Sequence, residues 1–366
     1  MQQPYLIAHI VYSFSTGGLE KGIATLVRNS SPLFKHVIIC LSGAGDSVQL
    51  LPENTRVISL GKKKGNSFLF ILKLAGLLRK LKPDLIHTRN WSGMDGILAA
   101  RFANIKTLIH GEHGWDMEDP YGTNPKRVFI RKLFSRWVKE YTCVSAEMET
   151  WLKHTIRVSK RVTQIYNGVD TDVFNPHGET PNIRSEMRIP SNAPVIGIVA
   201  RLDPIKDHSN LFQAFSLVRK QVPDAGLLVV GDGPERHRLE KISSKGIVFL
   251  GNRLDVPGIM REFDIFVLTS LNEGISNTIL EAMATGLPIV ATRVGGNVEL
   301  AGNSDFGILV EPGNPEQLAG VLLSYLKNQT RMKQHGALAR KTAIHQYSVA
   351  AMVQKYETVY RRVIEA

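Results

Sequence analysis

Short runs of apolar, β-branched residues alternate along nearly the whole chain with stretches whose apolar positions recur at helical spacing. The runs predict strands over 6–12, 36–41, 55–59, 85–87, 107–110 and 140–144. A second set is predicted over 195–199, 226–230, 247–250, 265–268, 288–291 and 307–310. Helical patterns lie between them at 19–29, 67–81, 210–221, 234–241, 278–285 and 315–326. Met352, Tyr356, Val359 and Val363 add a last helix over 348–366. Strand–helix–strand order with strands apolar on both sides predicts parallel sheets covered on both faces. Two such sets predict an α/β chain of two doubly wound, Rossmann-like domains facing a cleft, rather than one very wide sheet. The change of domain is expected within 167–194. There Asn167, Gly168, Asn175, Pro176, Gly178, Pro181, Asn182, Pro190 and Pro194 gather and apolar periodicity lapses.

Composition narrows the partners more than the fold. With 43% hydrophobic and 21% charged residues the chain can fill packed cores, which excludes wholesale disorder or a fibrous repeat. Lys and Arg number 45 against 33 Asp and Glu, a net charge of +12 that favours nucleic acid, acidic lipid or phosphorylated small molecules. Cys40 and Cys143 sit in apolar runs, so no disulfide framework is implied and a reducing compartment fits. The first residues lack a basic region followed by a small-residue cleavage site and read instead as a strand. The greasiest segment, 68–78, is broken by Lys73 and falls short of the ~20 apolar residues a spanning helix needs. A cytoplasmic location is expected.

Ligands of open parallel sheets bind beyond the carboxyl ends of the strands, so the loops that follow strands carry the candidate chemistry. Gly17 and Gly18 follow the first strand and open a helix, which suits a close backbone approach to an anion as well as a plain tight turn. Arg201 and Lys206 leave the end of strand 195–199. A forked guanidinium and a point ammonium match a diphosphate, though both could be solvated surface cations. The most specific segment runs from Ser270 to Pro288. Glu273 lies in the loop after strand 265–268, Gly274 lets that loop turn, and Glu281 lies near the start of the next helix. A carboxylate there can accept two sugar hydroxyls. Thr278-x-x-Glu281 also reads as a capping box, which accounts for Glu281 but not for Glu273.

These residues resemble glycosyltransferase family 4, retaining enzymes of the GT-B fold, and the resemblance covers almost the whole chain in order. Glu273 and Glu281 match the family's paired-glutamate signature and Gly17-Gly18 its glycine loop. Lys82-Pro83-Asp84 with the strand after it, Val144-Ser145, Asn167-Gly168-Val169-Asp170, Gly231-Asp232-Gly233-Pro234-Glu235, Phe249-Leu250-Gly251 and Gly295-Gly296-Asn297-Val298-Glu299 follow in place. The resemblance implies a transferase that moves a sugar from a UDP- or GDP-sugar co-substrate to a saccharide or lipid-linked saccharide, with no required metal. It implies that Arg201 and Lys206 neutralise the diphosphate and that Glu281 holds the ribose hydroxyls. Glu273 is implied to contact the donor sugar or its phosphate side. Backbone at Gly17, Gly18, Gly274, Ile275, Ser276, Asn277, Thr278 and Ile279 lines phosphates and sugar, and Gly251, Asn252 and Arg253 border the base. His113 matches the family's histidine near the reacting centre, although a lone histidine is often structural; Glu112 and Asp116 are acceptor-side candidates. The last helix is implied to return to the first domain. The expected division is therefore 1–166 with 348–366, on the acceptor side, and 167–347, which binds the nucleotide sugar.

Asp170-Thr171-Asp172 has the form of a metal–nucleotide motif, but the resembled family carries it at this place without a metal. Gly231-x-Gly233 lacks the third glycine of a dinucleotide fingerprint, since Arg236 stands there. The span 62–82, with Lys62, Lys63, Lys64, Lys73, Arg79, Lys80 and Lys82 around apolar residues, could lie on an anionic membrane surface or be a packed helix with a basic rim. A sugar-nucleotide epimerase on the same fold and a non-catalytic sugar-binding protein are the alternatives. Nucleic-acid binding lacks an aromatic platform or recognition helix.

Overall fold

A computed structural model describes residues 3–15, 17–63, 65, 67–114, 119, 122–186, 189–302 and 305–366. Lys64 and Asp116, each part of an expectation above, lie outside the described residues. The chain forms two compact units, Met1–Gly168 with Val349–Ala366, and Val169–Ser348. The crossings therefore fall after Gly168 and after Ser348.

Unit 1 begins β1 (Tyr5–Val11), α1 (Gly18–Asn29), β2 (Phe34–Cys40), β3 (Arg56–Ser59), α2 (Phe68–Leu81), β4 (Leu85–Arg89) and α3 (Met94–Phe102). It continues β5 (Leu108–Glu112), α4 (Pro125–Phe134), β6 (Glu140–Cys143), α5 (Ala146–Trp151) and β7 (Arg161–Gln164). Unit 2 holds α6 (Ile183–Glu186), β8 (Val195–Val199), α7 (His208–Gln221), β9 (Gly226–Val230), α8 (Arg236–Ile242), β10 (Ile247–Gly251) and α9 (Val256–Met260). It ends β11 (Ile265–Leu268), α10 (Asn277–Thr285), β12 (Ile289–Thr292), α11 (Gly295–Ala301), β13 (Gly307–Val310), α12 (Pro315–Leu326) and α13 (Gln329–Gln346). The final helix, α14 (Val349–Glu365), belongs to unit 1.

Among the described residues the unit 1 sheet runs β3-β2-β1-β4-β5-β6-β7 and the unit 2 sheet β10-β9-β8-β11-β12-β13, with parallel pairs between the named strands throughout. In each sheet the strand order reverses once, between β1 and β4 and between β8 and β11. A crevice opens at such a switch, and ligands of doubly wound sheets settle there.

Both switches are closed at the amino end by the same device. The carboxylate of Asp84, just before β4, accepts the Leu6 N–H at 2.7 Å, and its own N–H donates back to the Leu6 carbonyl at 2.9 Å. Asp264, just before β11, does the same to Val195 at 2.8 Å in each direction. The Lys-Pro-Asp segment thus has a local job: Lys82 ends α2 in the left-handed region (φ 48°), Pro83 stops the helix, and Asp84 clamps the central strands.

One face of the unit 1 sheet packs on a core that includes Leu74, Leu78, Ile97 and Leu152. On the other face Ile7, Leu85 and Ile109 meet Met352, Tyr356, Val359, Tyr360 and Val363 of α14. The helical period of those residues places them on a single stripe. Gly168 makes the return possible, because a Cβ there would stand 2.8 Å from the Val349 Cα. Arg362 fastens the far end of α14 to the buried carboxylate of Glu140 with bonds of 2.5 and 3.0 Å.

The same side of the sheet contains a buried polar cluster. Arg89, the last residue of β4, is 1% exposed, and no carboxylate pairs with it among the described residues. Its guanidinium donates to His9 Nδ1 at 2.9 Å and to His87 Nδ1 at 3.2 Å. His9 must therefore carry its proton on Nε2, from which it donates to His36 Nδ1 at 2.8 Å. The Tyr360 hydroxyl donates to His87 Nδ1 at 2.9 Å. Burial, reinforced by the Arg89 charge, holds His9 and His87 well below their ordinary value and brings His36 to about 4. His113 falls to about 3 for the same two reasons, against an opposing pull from Glu112.

These rings titrate lower in the folded chain than in the unfolded one, so unfolding takes up protons. Their contribution to stability is complete above about pH 6.5 and is lost as the pH falls toward the folded values, at about 1.4 kcal/mol per ring per pH unit. Thermal melts between pH 7.5 and 5 should therefore show the midpoint falling steeply. A level midpoint would refute the neutral cluster.

Candidate active site

In unit 2 the candidate side chains stand just beyond the two strands that flank the switch. The chain leaves β8 through Arg201 and a single turn, Pro204–Lys206, that ends at Asp207 in the left-handed region (φ 43°). The Asp207 carboxylate then caps α7 by accepting the Asn210 N–H. The loop after β11 is bonded directly to this turn. The Leu271 N–H donates to the Ile205 carbonyl at 2.8 Å, and the Thr269 hydroxyl donates to the Lys206 carbonyl at 2.9 Å.

Those backbone ties bring Lys206 against Glu273. The ammonium is ion-paired with Glu273 Oε1, which also accepts the Ser270 hydroxyl at 2.6 Å. Their side chains are only 22% and 10% exposed, so water screens the pair weakly. Gly295 and Gly296 support the loop from behind. A Cβ on Gly295 would lie 1.9 Å from the Glu273 carbonyl, and Gly295 sits at φ 42°, so a side chain is excluded twice. Arg201 contrasts with Lys206: its side chain is 70% exposed, with Asp203 at 3.5 Å.

The helix after the loop starts differently from the sequence expectation. Ser276, not Thr278, caps α10, its hydroxyl accepting the Ile279 N–H at 3.3 Å. Ile279 is then the third helical residue and Glu281 the fifth, so the Thr278–Glu281 capping box does not form and Glu281 is not explained as a cap. Gly274 faces open space, and Asn277 and Thr278 are the first two residues of α10. Gly251 closes β10 and accepts the Gly231 N–H at 2.8 Å. Beyond Asn252, the Arg253 guanidinium is held by both oxygens of Asp255 at 2.8 and 2.6 Å.

In unit 1 a cavity at the other switch is lined by Gly18, Leu19, Arg89, His113, Asn167 and Tyr356, among others. Gly17 and Gly18 start α1 without a side-chain cap, which leaves its first N–H groups to other acceptors. The Glu20 carboxylate folds over Gly17, and burial raises its pKa. His113 is fixed by its backbone N–H, which donates to the Asn90 side chain at 2.7 Å, and its Nε2 is buried without a partner. Glu112 is not available to a substrate. It is 2% exposed and bonded to Arg131 at 2.8 Å; burial pushes its pKa up, but Arg131 and His110 bring it down to about 2.

Two residues escaped the sequence reading. Arg89 lies two residues past the predicted strand 85–87 and extends β4 in the structure, with no paired glycines or acidic residue beside it in sequence, yet it borders the same cavity as Gly18 and His113. His208, at the start of α7, is 2% exposed with neither ring nitrogen bonded. Burial first, then Lys206, lowers its pKa to about 4.

The comparisons with known proteins agree with this arrangement. Residues 16–173 match the family described as Glycosyltransferase Family 4, and residues 193–328 match Glycosyl transferases group 1. The chain is 33% identical over 303 residues to a putative glycosyltransferase, EpsF, of Bacillus subtilis, covering 78% of each protein. It is 28% identical over 353 residues to the UDP-Gal:alpha-D-GlcNAc-diphosphoundecaprenol alpha-1,3-galactosyltransferase of Escherichia coli, covering 92% of this chain and 88% of that one. Among solved structures, a glycosyltransferase from Rickettsia africae superposes with a TM-score of 0.85 at 24% identity over the full length of both chains. HepE of Anabaena, in complex with UDP-glucose, gives 0.76 at 22% identity, covering 97% and 99%. Two parallel α/β units, and relatives of this kind along the whole chain, place the protein in glycosyltransferase family 4, with the GT-B fold and the transfer of sugar from nucleotide sugars as its activity.

Proposed function

We propose that the protein moves a hexose from a UDP-sugar to a lipid-linked saccharide, with retention at the anomeric carbon and without a metal. The observation that carries this reading is the pairing of Lys206 with Glu273 beside the exposed Arg201 at the β8–β11 switch. An arriving diphosphate offers Lys206 a stronger anion than Glu273 does. As the ammonium turns to phosphate, the Glu273 carboxylate is released toward the sugar hydroxyls. Arg201 closes on the diphosphate from solvent, and Glu281 takes the ribose hydroxyls. Arg201 and Lys206 then stabilise the diphosphate as it departs.

Retention rests on the membership of family 4, and it fits front-face attack assisted by the departing phosphate, a reading in which Glu273 contacts sugar hydroxyls and His113 hydrogen-bonds, neither forming a covalent intermediate. The metal-free reading is supported by Asp170, whose Oδ1 accepts the N–H groups of Asp172 and Val173 at 3.0 Å each. The choice of UDP and of a lipid-linked acceptor rests on the Escherichia coli relative and on the UDP-sugar complex of HepE. Neither likeness favours the epimerase or the binding protein.

Membrane contact is proposed through α2. Among the described residues no helix is long and apolar enough to cross a membrane. Yet Phe68 and Leu69 at its start are 60% and 76% exposed, and Lys73, Lys80 and Lys82 are exposed further along it. Lys62 does not belong to that rim, since it is paired with Asp95.

A thermal-shift panel is expected to give a larger rise with UDP-sugars than with GDP- or ADP-sugars, about 2.7 kcal/mol of stabilisation at a hundredfold excess over Kd. Arg201→Ala, Lys206→Ala and Glu281→Ala should each weaken donor binding at least about tenfold, since charge-assisted bonds contribute about 1.5–3 kcal/mol. Lys206→Ala alone of the two cations should also lower stability, by about 1–3 kcal/mol, because it strands a buried carboxylate. Unchanged donor affinity in all three variants would remove the site. Transfer should persist in excess chelator, and its loss there would bring Asp170 and Asp172 back as metal ligands. Leu69→Glu should release the protein from vesicles containing phosphatidylglycerol; undiminished sedimentation would exclude α2 as the contact.

A further inference from the structure

The amino edge of the unit 1 sheet, opposite the edge that carries Gly18 and His113, holds a pocket of about 470 Å³, a size typical of small-molecule sites. Arg101 reaches it from α3, Lys106 from just before β5, Arg136 and Lys139 from just before β6, and Lys160 from just before β7. Trp137, half-buried, supplies an apolar wall. No carboxylate lines this pocket, and among the described residues none of its five cations makes an ion pair or a side-chain hydrogen bond. Glu140, beside Lys139 in sequence, is already taken by Arg362 and Thr163.

On unit 2, by contrast, Arg236, Arg238, Arg253 and Arg293 are solvent-accessible and each faces a carboxylate. Five like charges around one concavity repel one another and focus a positive potential into it. The arrangement costs free energy when empty and is relieved by an anion. An ammonium–guanidinium set of this kind suits phosphate oxygens, and an indole beside it suits the carbon portion of an ester.

We propose that this pocket is a second anion site, separate from the donor site, that takes the phosphate of a phosphate ester and rests its carbon portion on Trp137. A soluble sugar phosphate and a phospholipid headgroup share that chemistry. The site does not depend on the donor reading.

The probes are inorganic pyrophosphate and phosphatidylcholine vesicles with and without phosphatidylglycerol. The signal of Trp137 is the difference in fluorescence between the wild type and Trp137→Phe. Pyrophosphate should change it, and the triple variant Lys106→Glu/Arg136→Glu/Lys139→Glu should weaken that binding at least about tenfold at an unaltered melting midpoint. Arg201→Ala should leave the Trp137 signal as it is, which separates this site from the donor site. Pyrophosphate binding lost in the triple variant supports a free phosphate ligand. Loss confined to binding of the phosphatidylglycerol vesicles supports a headgroup. The proposal is overturned if neither probe responds to the triple variant. It is also overturned if a single-stranded oligonucleotide binds the wild type more tightly than either probe and is lost in the variant.

Discussion

A lysine and a glutamate from the loops after two different strands, largely withdrawn from water, hold unit 2 together at its switch. Removing charges from solvent is expensive, and attraction between them repays that cost only when geometry and further hydrogen bonds are good. Here the backbone supplies the geometry. The turn after β8 is stitched to the loop after β11 by Leu271 and Thr269, Ser270 adds a bond to the shared oxygen, and two glycines of α11 brace the loop from behind. The pair keeps a cation and an acid ready in the same place, each neutralising the other until a more strongly charged ligand intervenes. In the proposed reading, substrate binding is an exchange of ion partners rather than the ordering of free side chains.

Unit 1 handles charge at its switch in another way. Arg89 is sealed in and meets neutral imidazoles, not a carboxylate. Its donors fix which nitrogen of His9 and His87 carries the proton, and its field keeps the surrounding rings uncharged. His113, at the edge of this cluster, is accordingly a neutral hydrogen-bonding group at any ordinary pH. The cost of the lone guanidinium is carried by the packing of α14, whose Tyr360 hydroxyl completes the ring of contacts.

Much of this was legible from residues alone. Period and β-branching located the central strands because parallel strands buried on both faces read as unbroken apolar runs. Arg201, Lys206 and Glu273 could be found because each stands just past such a run, where a charged residue needs a reason. Arg89 also stands just past a predicted run, but no paired glycines or acidic partner flank it in sequence, and its burial against His9 and His87 is a tertiary fact that no local pattern announces. The cap of α10 was misplaced by two residues because Ser276 and Thr278 are equally good caps, and only the tertiary path of the Glu273 loop decides between them. Glu112 looked available beside His113, but its neighbour Arg131 comes from α4, a partner no short-range pattern announces. The matching clamps of Asp84 and Asp264 were likewise invisible, since the two halves share the device but almost no residues around it.

The return of α14 sets an order on how the molecule comes into being. Every residue of unit 2 is synthesised before the stripe that covers Ile7, Leu85 and Ile109. During synthesis the first half must wait with one face of its sheet bare, while the second half has all it needs to close. The nascent chain thus finishes its middle before its beginning, and the bare face is the stage at which a chaperone has most to protect.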